Sequence, residues 1–224
     1  GGYANTPLAG AELADADFSH ASWLGFDLSG SSLRNVLFHG TQFEGDARFF
    51  ETHFSHCVFD ACGWRHVNFV HGVLQHTRFT GLKRSSSVHF NAALIEDCLF
   101  EGQLKGTRFL ASPLRNTRFV GSLSDCTFFG HPDIVVIDAE RERYGALAPE
   151  HVRNRMAGVD WSQASLTSCH ITNYAYLDQV LPPPLSSNLL VHVTPAFYEQ
   201  ASALVQAAFA DPAESARALR ALAI

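Results

Sequence analysis

The sequence predicts an all-β solenoid followed by a C-terminal helical segment. Three features of one five-residue period lead to this prediction. From residue 11 onward a large apolar residue, at a position called i below, recurs every fifth residue. A mostly small residue precedes it by two positions (i−2), and glycine often follows it by two (i+2). Neither a helix nor a plain strand has this period, whereas a coil that turns a corner in every repeat does.

The composition supports a folded chain with a sizeable core. Hydrophobic residues make up 46% of the 224 residues and charged residues 17%, which excludes global disorder. The net charge of −6 is mild and does not suggest a nucleic-acid partner, for which a basic stripe is expected. No apolar run approaches the ~20 residues of a membrane span. Five cysteines, an odd number without a secretory signal, favour a reducing, cytoplasmic setting over a disulfide framework.

Residues 1–10 are interpreted as a leader or cloning remnant. They begin with two glycines and contain no initiator methionine. We therefore expect the natural protein to extend further upstream.

The repeat array is predicted to span residues 11–129. Its i residues fall in three runs separated by short slips near residues 46–48 and 82–87, and the third run contains a further slip near residue 103. They are Leu13, Phe18, Trp23, Leu28, Leu33, Phe38 and Phe43; then Phe49, Phe54, Phe59, Trp64, Phe69, Leu74 and Phe79; then Phe90, Ile95, Phe100, Leu104, Phe109, Leu114 and Phe119. Glycine at i+2 suits a tight corner that requires positive φ. The slips are expected to form bulges or small loops.

This pattern resembles the pentapeptide-repeat family, whose units carry a small residue, a polar residue, Leu or Phe, and two variable residues. The resemblance implies a right-handed quadrilateral β-helix with one repeat per side and four repeats per coil. It also implies that positions i and i−2 point inward and that the other three point outward. Stacking makes one continuous apolar column from units that cannot bury their own side chains.

The remaining chain divides into four predicted segments. Residues 130–158 are a non-repeat insertion with a short strand and a short helix, and residues 159–178 restore the period as a final capping coil. Residues 179–193 form a proline-rich linker. Residues 194–224 form C-terminal helices, the first with Phe197, Ala201, Leu204 and Ala208 on one face.

One outer edge of the predicted coil is apolar and is called the apolar corner below. It combines outward residues of the fourth side with outward residues of the adjoining first side: Phe50, Val70, Leu110, Val73, Leu94 and Pro113. A stripe of this size is seldom left bare. It is either a partner-binding groove or a surface covered by residues 130–158 or 194–224.

Residues 52–79 hold five histidines and two cysteines and could be taken for a metal site. The period separates them, since Cys57 and Cys62 are inward i−2 residues and the histidines are outward. His56 and His76 remain weak candidates for a metal, perhaps with Asp97, because they stack on one side at rung spacing. Solvated surface histidines are the simpler interpretation, and no cofactor is predicted.

The function predicted is a non-catalytic protein-interaction module whose partner is another protein. The sequence contains no nucleophile elbow, P-loop, HExxH or paired CxxC motif, so an enzyme is not predicted. A β-helix followed by helices is similar to the substrate-recognition region of HECT-like ubiquitin-ligase effectors. That analogy adds secretion into a host cell as a second localisation.

Two alternatives stay open. The first is a DNA mimic that binds a type II topoisomerase, as in the quinolone-resistance members of the family. Residues 1–130 carry 12 acidic and 10 basic residues, a nearly balanced surface that disfavours imitation of duplex phosphates. The second alternative is a structural or self-associating solenoid, for example a homodimer.

Overall fold

A computed structural model describes residues 8–44, 47–65, 67–83, 88–129, 156–172, 177, 179–184 and 195–208. The chain forms two units, Gly1–Asn188 and Leu189–Ile224, which are considered separately. The sequence-predicted strand and helix between residues 130 and 155, and the predicted helix after residue 210, lie outside the described residues.

The first unit is built from short parallel strands. In chain order they are β1 (Glu12–Ala14), β2 (Ser22–Leu24), β3 (Ser32–Arg34), β4 (Leu37–His39), β5 (Gln42–Glu44), β6 (Arg48–Phe50), β7 (His53–Ser55), β8 (Val58–Asp60), β9 (Gly63–Trp64), β10 (Val67–Val70), β11 (Val73–Gln75), β12 (Arg78–Leu82), β13 (Val88–Asn91), β14 (Leu94–Glu96), β15 (Leu99–Lys105), β16 (Arg108–Leu110), β17 (Leu114–Arg115), β18 (Arg118–Ser124), β19 (Thr127–Phe129), β20 (Asp160–Thr167) and β21 (His170–Thr172).

These strands stack into four parallel sheets, one for each side of a coil. The first sheet has the order β1-β3-β7-β11-β14-β17, and the second has β4-β8-β12-β15-β18-β20. The third is β2-β5-β9, and the fourth is β6-β10-β13-β16-β19-β21. Each strand pairs with the strand one coil further on, for example Leu13 with Leu33 and Leu33 with Phe54. The predicted all-β solenoid is therefore confirmed.

The i residues form the core, in two ladders of stacked phenyl rings. On the second sheet Phe38, Phe59, Phe79, Phe100 and Phe119 stack with ring centroids 4.7–5.1 Å apart and planes within 11°. The fourth sheet carries an equivalent ladder, from Phe49 to Phe128. Rings of the two ladders meet edge to face. Offset-stacked and edge-to-face contacts each contribute about 0.5–1.5 kcal/mol beyond the apolar area that they bury.

The inward i−2 residues connect consecutive coils by hydrogen bonds. Thr52 Oγ1 donates to Leu28 O at 2.8 Å, and Cys62 Sγ donates to Phe38 O at 2.7 Å. Each acceptor is the carbonyl of an i residue in the preceding coil. These i−2 positions thus hold buried hydroxyl and thiol groups whose hydrogen bonds are satisfied, which is the condition for burying polar atoms. The hydroxyl of Thr107, at the same position in a later coil, is buried without a hydrogen-bond partner among the described residues.

The corners have the positive φ that the sequence predicts at i+2. Many non-glycine residues also adopt it there, with φ of 46–60°. They are Asp15, His20, Asn35, Glu51, His56, Ala61, His71, His76, Ala92, Asp97, Ala111, Asn116, Asp125 and Ser168. Aspartate, asparagine and histidine are the non-glycine residues most enriched in this left-handed region. The corner geometry therefore suits four of the twelve histidines.

Gly102 and Gly121 are required because the backbone of the neighbouring coil leaves no room for a Cβ. A Cβ on Gly102 would lie 2.5 Å from Leu82 O, and one on Gly121 would lie 2.2 Å from Gly102 O. At this corner the strand does not break, so β15, β18 and β20 run across both the second and the third side. The repeat that is one residue short near position 103 is thus accommodated by a strand that continues through the corner. The slip after residue 79 is a register shift between β12 and β15.

The stack continues across the insertion. β20 pairs with β18 and β21 with β19, and Met156, Val159 and Trp161 are buried in the common core. Beyond them Leu181 exchanges backbone hydrogen bonds with Val159 and Trp161 at 2.8–2.9 Å. Pairing with the β-helix therefore reaches into the first residues of the predicted linker.

The second unit contains the helix α1 (Pro195–Ala208) in its described part. It begins at the proline that the sequence marks as a helix start. Leu204, predicted on the apolar face, is 72% exposed, and Ala208 is also exposed. The side chains of Phe197 and Ala201 lie outside the described residues.

Candidate interaction surface

The apolar corner is less open than the sequence predicts. Phe50, Val70, Val73, Leu94 and Leu110 are half-buried, although the coil directs them outward. Pro113 is fully buried, and so are Ala92 and Ala111 between the two sides. Phe50 packs edge to face on His71, with ring centroids 5.6 Å apart. The corner therefore contributes to the packing of this chain, and partner binding there stays a proposal.

Cysteines and histidines of residues 52–79 lie on opposite sides of the coil wall. Cys57 and Cys62 are buried, whereas His53, His56 and His76 are exposed and His71 is half-buried. His66 lies outside the described residues. Burial raises the pKa of the Cys62 thiol to about 12, so this sulfur is a poor metal ligand at neutral pH.

His56 and His76 are brought together as predicted. Their rings are 4.7 Å apart and tilted by 31°, and His76 Nδ1 lies 3.8 Å from Asp97 Oδ2. His56 Nδ1 is 2.9 Å from Ser55 Oγ. The two imidazoles face each other, and the Nδ1 atom of each lies near another side chain, Ser55 for His56 and Asp97 for His76. Within the described residues, no group of three or more His, Cys, Asp or Glu side chains could hold a metal ion.

The histidine pair belongs to a longer row of exposed corner residues. We call it the polar edge, and it consists of the exposed i+2 residues of the first sheet: Asp15, Asn35, His56, His76, Asp97 and Asn116. Each backbone N–H in the row donates to a carbonyl of the next coil at 2.8–3.1 Å. The row therefore has a fixed backbone, with side chains at the rung spacing of about 4.8 Å.

Side chains of the polar edge and its neighbours also bond to one another. Asn35 Nδ2 donates to Asp15 Oδ1 at 2.7 Å. In the adjoining outward column Gln75 Nε2 donates to Glu96 Oε2 at 3.0 Å, and Arg115 Nη1 lies 3.9 Å from Glu96 Oε1. Acidic, basic and amide groups alternate along the coil axis, which gives this edge a specific hydrogen-bonding pattern.

A second polar network crosses the second sheet. His39 Nδ1 lies 2.7 Å from Asp60 Oδ2, and Thr80 Oγ1 donates to Asp60 Oδ1 at 2.6 Å. These two hydrogen bonds, the one from Thr80 foremost, hold the pKa of Asp60 below its usual value. The carboxylate lies between the hydroxyl and the imidazole. Thr80 is thus bonded to the acid and not to a base, unlike the nucleophile of a hydrolytic triad.

Sequence reasoning found the histidine pair but missed these networks. Their members lie 19 to 21 residues apart, so no short motif contains them. The signal that finds them is the coil length: Asp15 and Asn35, or His39 and Asp60, face each other because one turn of the coil takes this many residues. Among the described residues, no helix is both long and apolar enough to cross a membrane.

Four in-register parallel sheets around one apolar column define a quadrilateral β-helix, a solenoid class in which each coil contacts only its neighbours. The residues 11–45 match the family described as Pentapeptide repeats, with eight copies. Residues 11–45 therefore consist of pentapeptide repeats.

Several solved structures of this family are similar to the chain. QnrB1, a plasmid-mediated fluoroquinolone resistance protein, is 18% identical with a TM-score of 0.34, covering 89% of this chain and 88% of its own. A pentapeptide repeat protein of the Arabidopsis thaliana thylakoid lumen is 21% identical with a TM-score of 0.31, covering 50% and 68%.

HetL of the cyanobacterium Nostoc, involved in heterocyst differentiation regulation, is 14% identical with a TM-score of 0.24, covering 79% and 88%. No curated protein matches the sequence. These likenesses carry no information about the function of this chain.

Proposed function

We propose that the chain is a non-catalytic protein-interaction module whose partner is another protein. One observation carries the proposal: the polar edge presents six exposed side chains on consecutive coils, at corners whose backbone conformation is fixed. A preorganised row of donors and acceptors loses little conformational entropy when a partner binds. Solenoids present extended binding surfaces of this kind.

A protein partner suits the chemistry of this edge better than a nucleic acid does. Asp15 and Asp97 would repel phosphates, and two outward arginines are engaged, Arg115 with Glu96 at 3.9 Å and Arg118 with Asp160 at 3.5 Å. The same pairing disfavours the topoisomerase-binding alternative, because a DNA mimic needs an unneutralised acidic surface. A supercoiling assay with and without a quinolone would detect that activity directly.

The finer assignment to HECT-like effectors rests only on the order of a β-helix and a helix. Self-association is the remaining alternative, and the mass from small-angle scattering would distinguish a monomer from a dimer. The apolar corner is a second candidate surface, although its residues are half-buried or buried.

Site-specific photo-crosslinking tests the proposal. A photoreactive residue is placed at His56 or Asp97 in the polar edge, at Leu110 in the apolar corner, and at Ser122 as an exposed control on another side. We expect one discrete crosslinked protein from His56 and Asp97 and none from Ser122. The protein is then identified, purified and titrated with wild type and with His76→Ala. Crosslinks that form equally from every position, or affinity unchanged by His76→Ala, would contradict binding along the polar edge.

A further inference from the structure

Cys126 and Cys169 occupy the same inward i−2 position on consecutive coils. β19 and β21 pair with Thr127 opposite His170, and His170 N donates to Cys126 O at 2.8 Å. Cys126 therefore lies directly beside Cys169, and both side chains point to the same side of the sheet.

The other three cysteines have no such neighbour in the described register. Cys57 and Cys98 lie two coils apart, and Thr77 occupies the coil between them. Cys62 lies beside Thr41 in the third sheet. All five cysteines are free thiols.

The distance between these backbones suits a disulfide. Neighbouring strands of a sheet lie about 4.8 Å apart. A disulfide accepts Cα separations of about 4.4–6.8 Å. Cys126 is fully buried, whereas Cys169 is only half-buried, so an oxidant in solution reaches the Cys169 sulfur first. The neighbouring Cys126 thiol also lowers the pKa of Cys169, which favours its thiolate.

We propose that Cys126 and Cys169 are a redox-active pair that a hydroperoxide converts to a reversible disulfide between the last two coils. The Cys169 thiolate attacks the peroxide oxygen, which gives a sulfenic acid and, with hydrogen peroxide, releases hydroxide. The Cys126 thiol then attacks the Cys169 sulfur, the S–S bond forms and water leaves. Overall, two thiols and one hydrogen peroxide give one disulfide and two waters.

The bond would fasten the final coil to the array. Cys126 and Cys169 are 43 positions apart in the sequence, so the disulfide closes a long loop. In the reduced state β20 and β21 are held by pairing with β18 and β19, by the hydrogen bond between Trp161 and Leu181, and by the packing of Trp161 on Phe128, with ring centroids 5.3 Å apart. Terminal coils of a solenoid are its least stable part, so oxidation would protect them most.

Mass spectrometry of the full chain tests the pair. The reduced protein is treated with a small excess of hydrogen peroxide, quenched and measured intact. We expect the mass to fall by two hydrogens, a protease digest to contain one peptide joining Cys126 to Cys169, and dithiothreitol to reverse both changes. Amide hydrogen exchange in residues 160–172 is expected to slow by about tenfold or more after oxidation.

Serine variants provide the controls. Cys169→Ser is expected to abolish the mass change, while Cys98→Ser keeps it. Serine is tolerated at i−2, because Ser31 and Ser112 occupy that position and are buried. Three outcomes would overturn the proposal: an unchanged mass, a linkage between other cysteines, or oxygen addition at Cys169 without a cross-link.

Discussion

Phe79 stacks between Phe59 and Phe100, with ring centroids 4.9 and 4.8 Å from its own and planes within 11°. The ring is fully buried and contacts a ring of the preceding coil and a ring of the following coil. Because each coil contacts only its neighbours, a defect in this ladder separates the coils on either side. The strength of the stack therefore depends on ring shape as well as on hydrophobicity.

We expect Phe79→Ala to destabilise the β-helix by about 3–5 kcal/mol, because it opens a cavity in the ladder. Phe79→Leu is the matched control, since Leu28 and Leu33 fill i positions and are fully buried. It is expected to cost less than about 1.5 kcal/mol. Urea unfolding followed by circular dichroism measures both. Equal losses for the two variants would contradict the cavity as the cause and would show that the ring itself is required.

The corner glycines provide a second prediction. Gly121→Ala is expected to cost about 1–2 kcal/mol for the positive φ and about 1–3 kcal/mol more for the contact of its Cβ with Gly102 O. Gly30→Ala has a positive φ but nothing within 4 Å of its Cβ, so only the first cost applies. Chemical denaturation of both variants checks the difference. If Gly30→Ala were as damaging as Gly121→Ala, close backbone approach would not be the reason for glycine.

The five-residue period predicts the core almost residue by residue. Its i and i−2 residues are inward because two positions in every five face the axis, and local sequence is enough to identify them. The period also separates Cys57 from His56, which dissolves the apparent metal site. The sequence did not predict the continuous strands β15 and β18. Pairing with the neighbouring coil, and not the local sequence, determines how the strand accommodates a repeat that is one residue short.

The surface was less predictable, for two physical reasons. Contacts such as His39 with Asp60 require the exact coil length, which the slips of register change along the chain. The burial of Pro113 and Ala92 depends on what packs over the apolar corner, and the period contains no information about that. Positive φ at His56 and His76 could have been expected, since glycine fills the same position in other repeats.

The conformation of the polar edge leads to a third prediction. His76 has a φ of 50°, so His76→Val places a β-branched residue in the left-handed region and is expected to cost about 2 kcal/mol. His76→Asn keeps a residue that tolerates this region and should change stability by less than about 0.5 kcal/mol. The control is His53→Val, because His53 is exposed in the extended strand β7, where valine is favoured. A destabilisation by His53→Val as large as that by His76→Val would contradict a cause in the corner.

The apolar corner gives a fourth prediction. Leu110→Ser is expected to lower stability by about 1–3 kcal/mol, since Leu110 is half-buried beside the buried Ala111. Leu37→Ser is the matched control, because Leu37 also points outward but is 37% exposed, and it should change stability by about 0.5 kcal/mol or less. Thermal unfolding measures both.

The double variant Phe50→Ser with Leu110→Ser then separates the two roles of the corner. Loss of stability with partner binding intact would rule out the apolar corner as the binding surface. Lost binding in a stably folded variant would instead favour it over the polar edge.

The last prediction concerns pH. The pKa of Asp60 is lowered in the folded state, first by the hydrogen bond from Thr80 and then by that from His39. The resulting stability is present above the unfolded pKa of about 4 and is lost as pH falls through the lower folded value. Thr80→Val removes the largest cause, so its stability should fall less than that of wild type between pH 6 and pH 2. Because the Asp60 side chain is 37% exposed, we expect this difference to stay below about 1 kcal/mol. Urea midpoints at each pH measure it, with Thr41→Val as the control for loss of a threonine hydroxyl elsewhere. Identical pH profiles for wild type and Thr80→Val would show that the Thr80 hydrogen bond does not stabilise the charged form of Asp60.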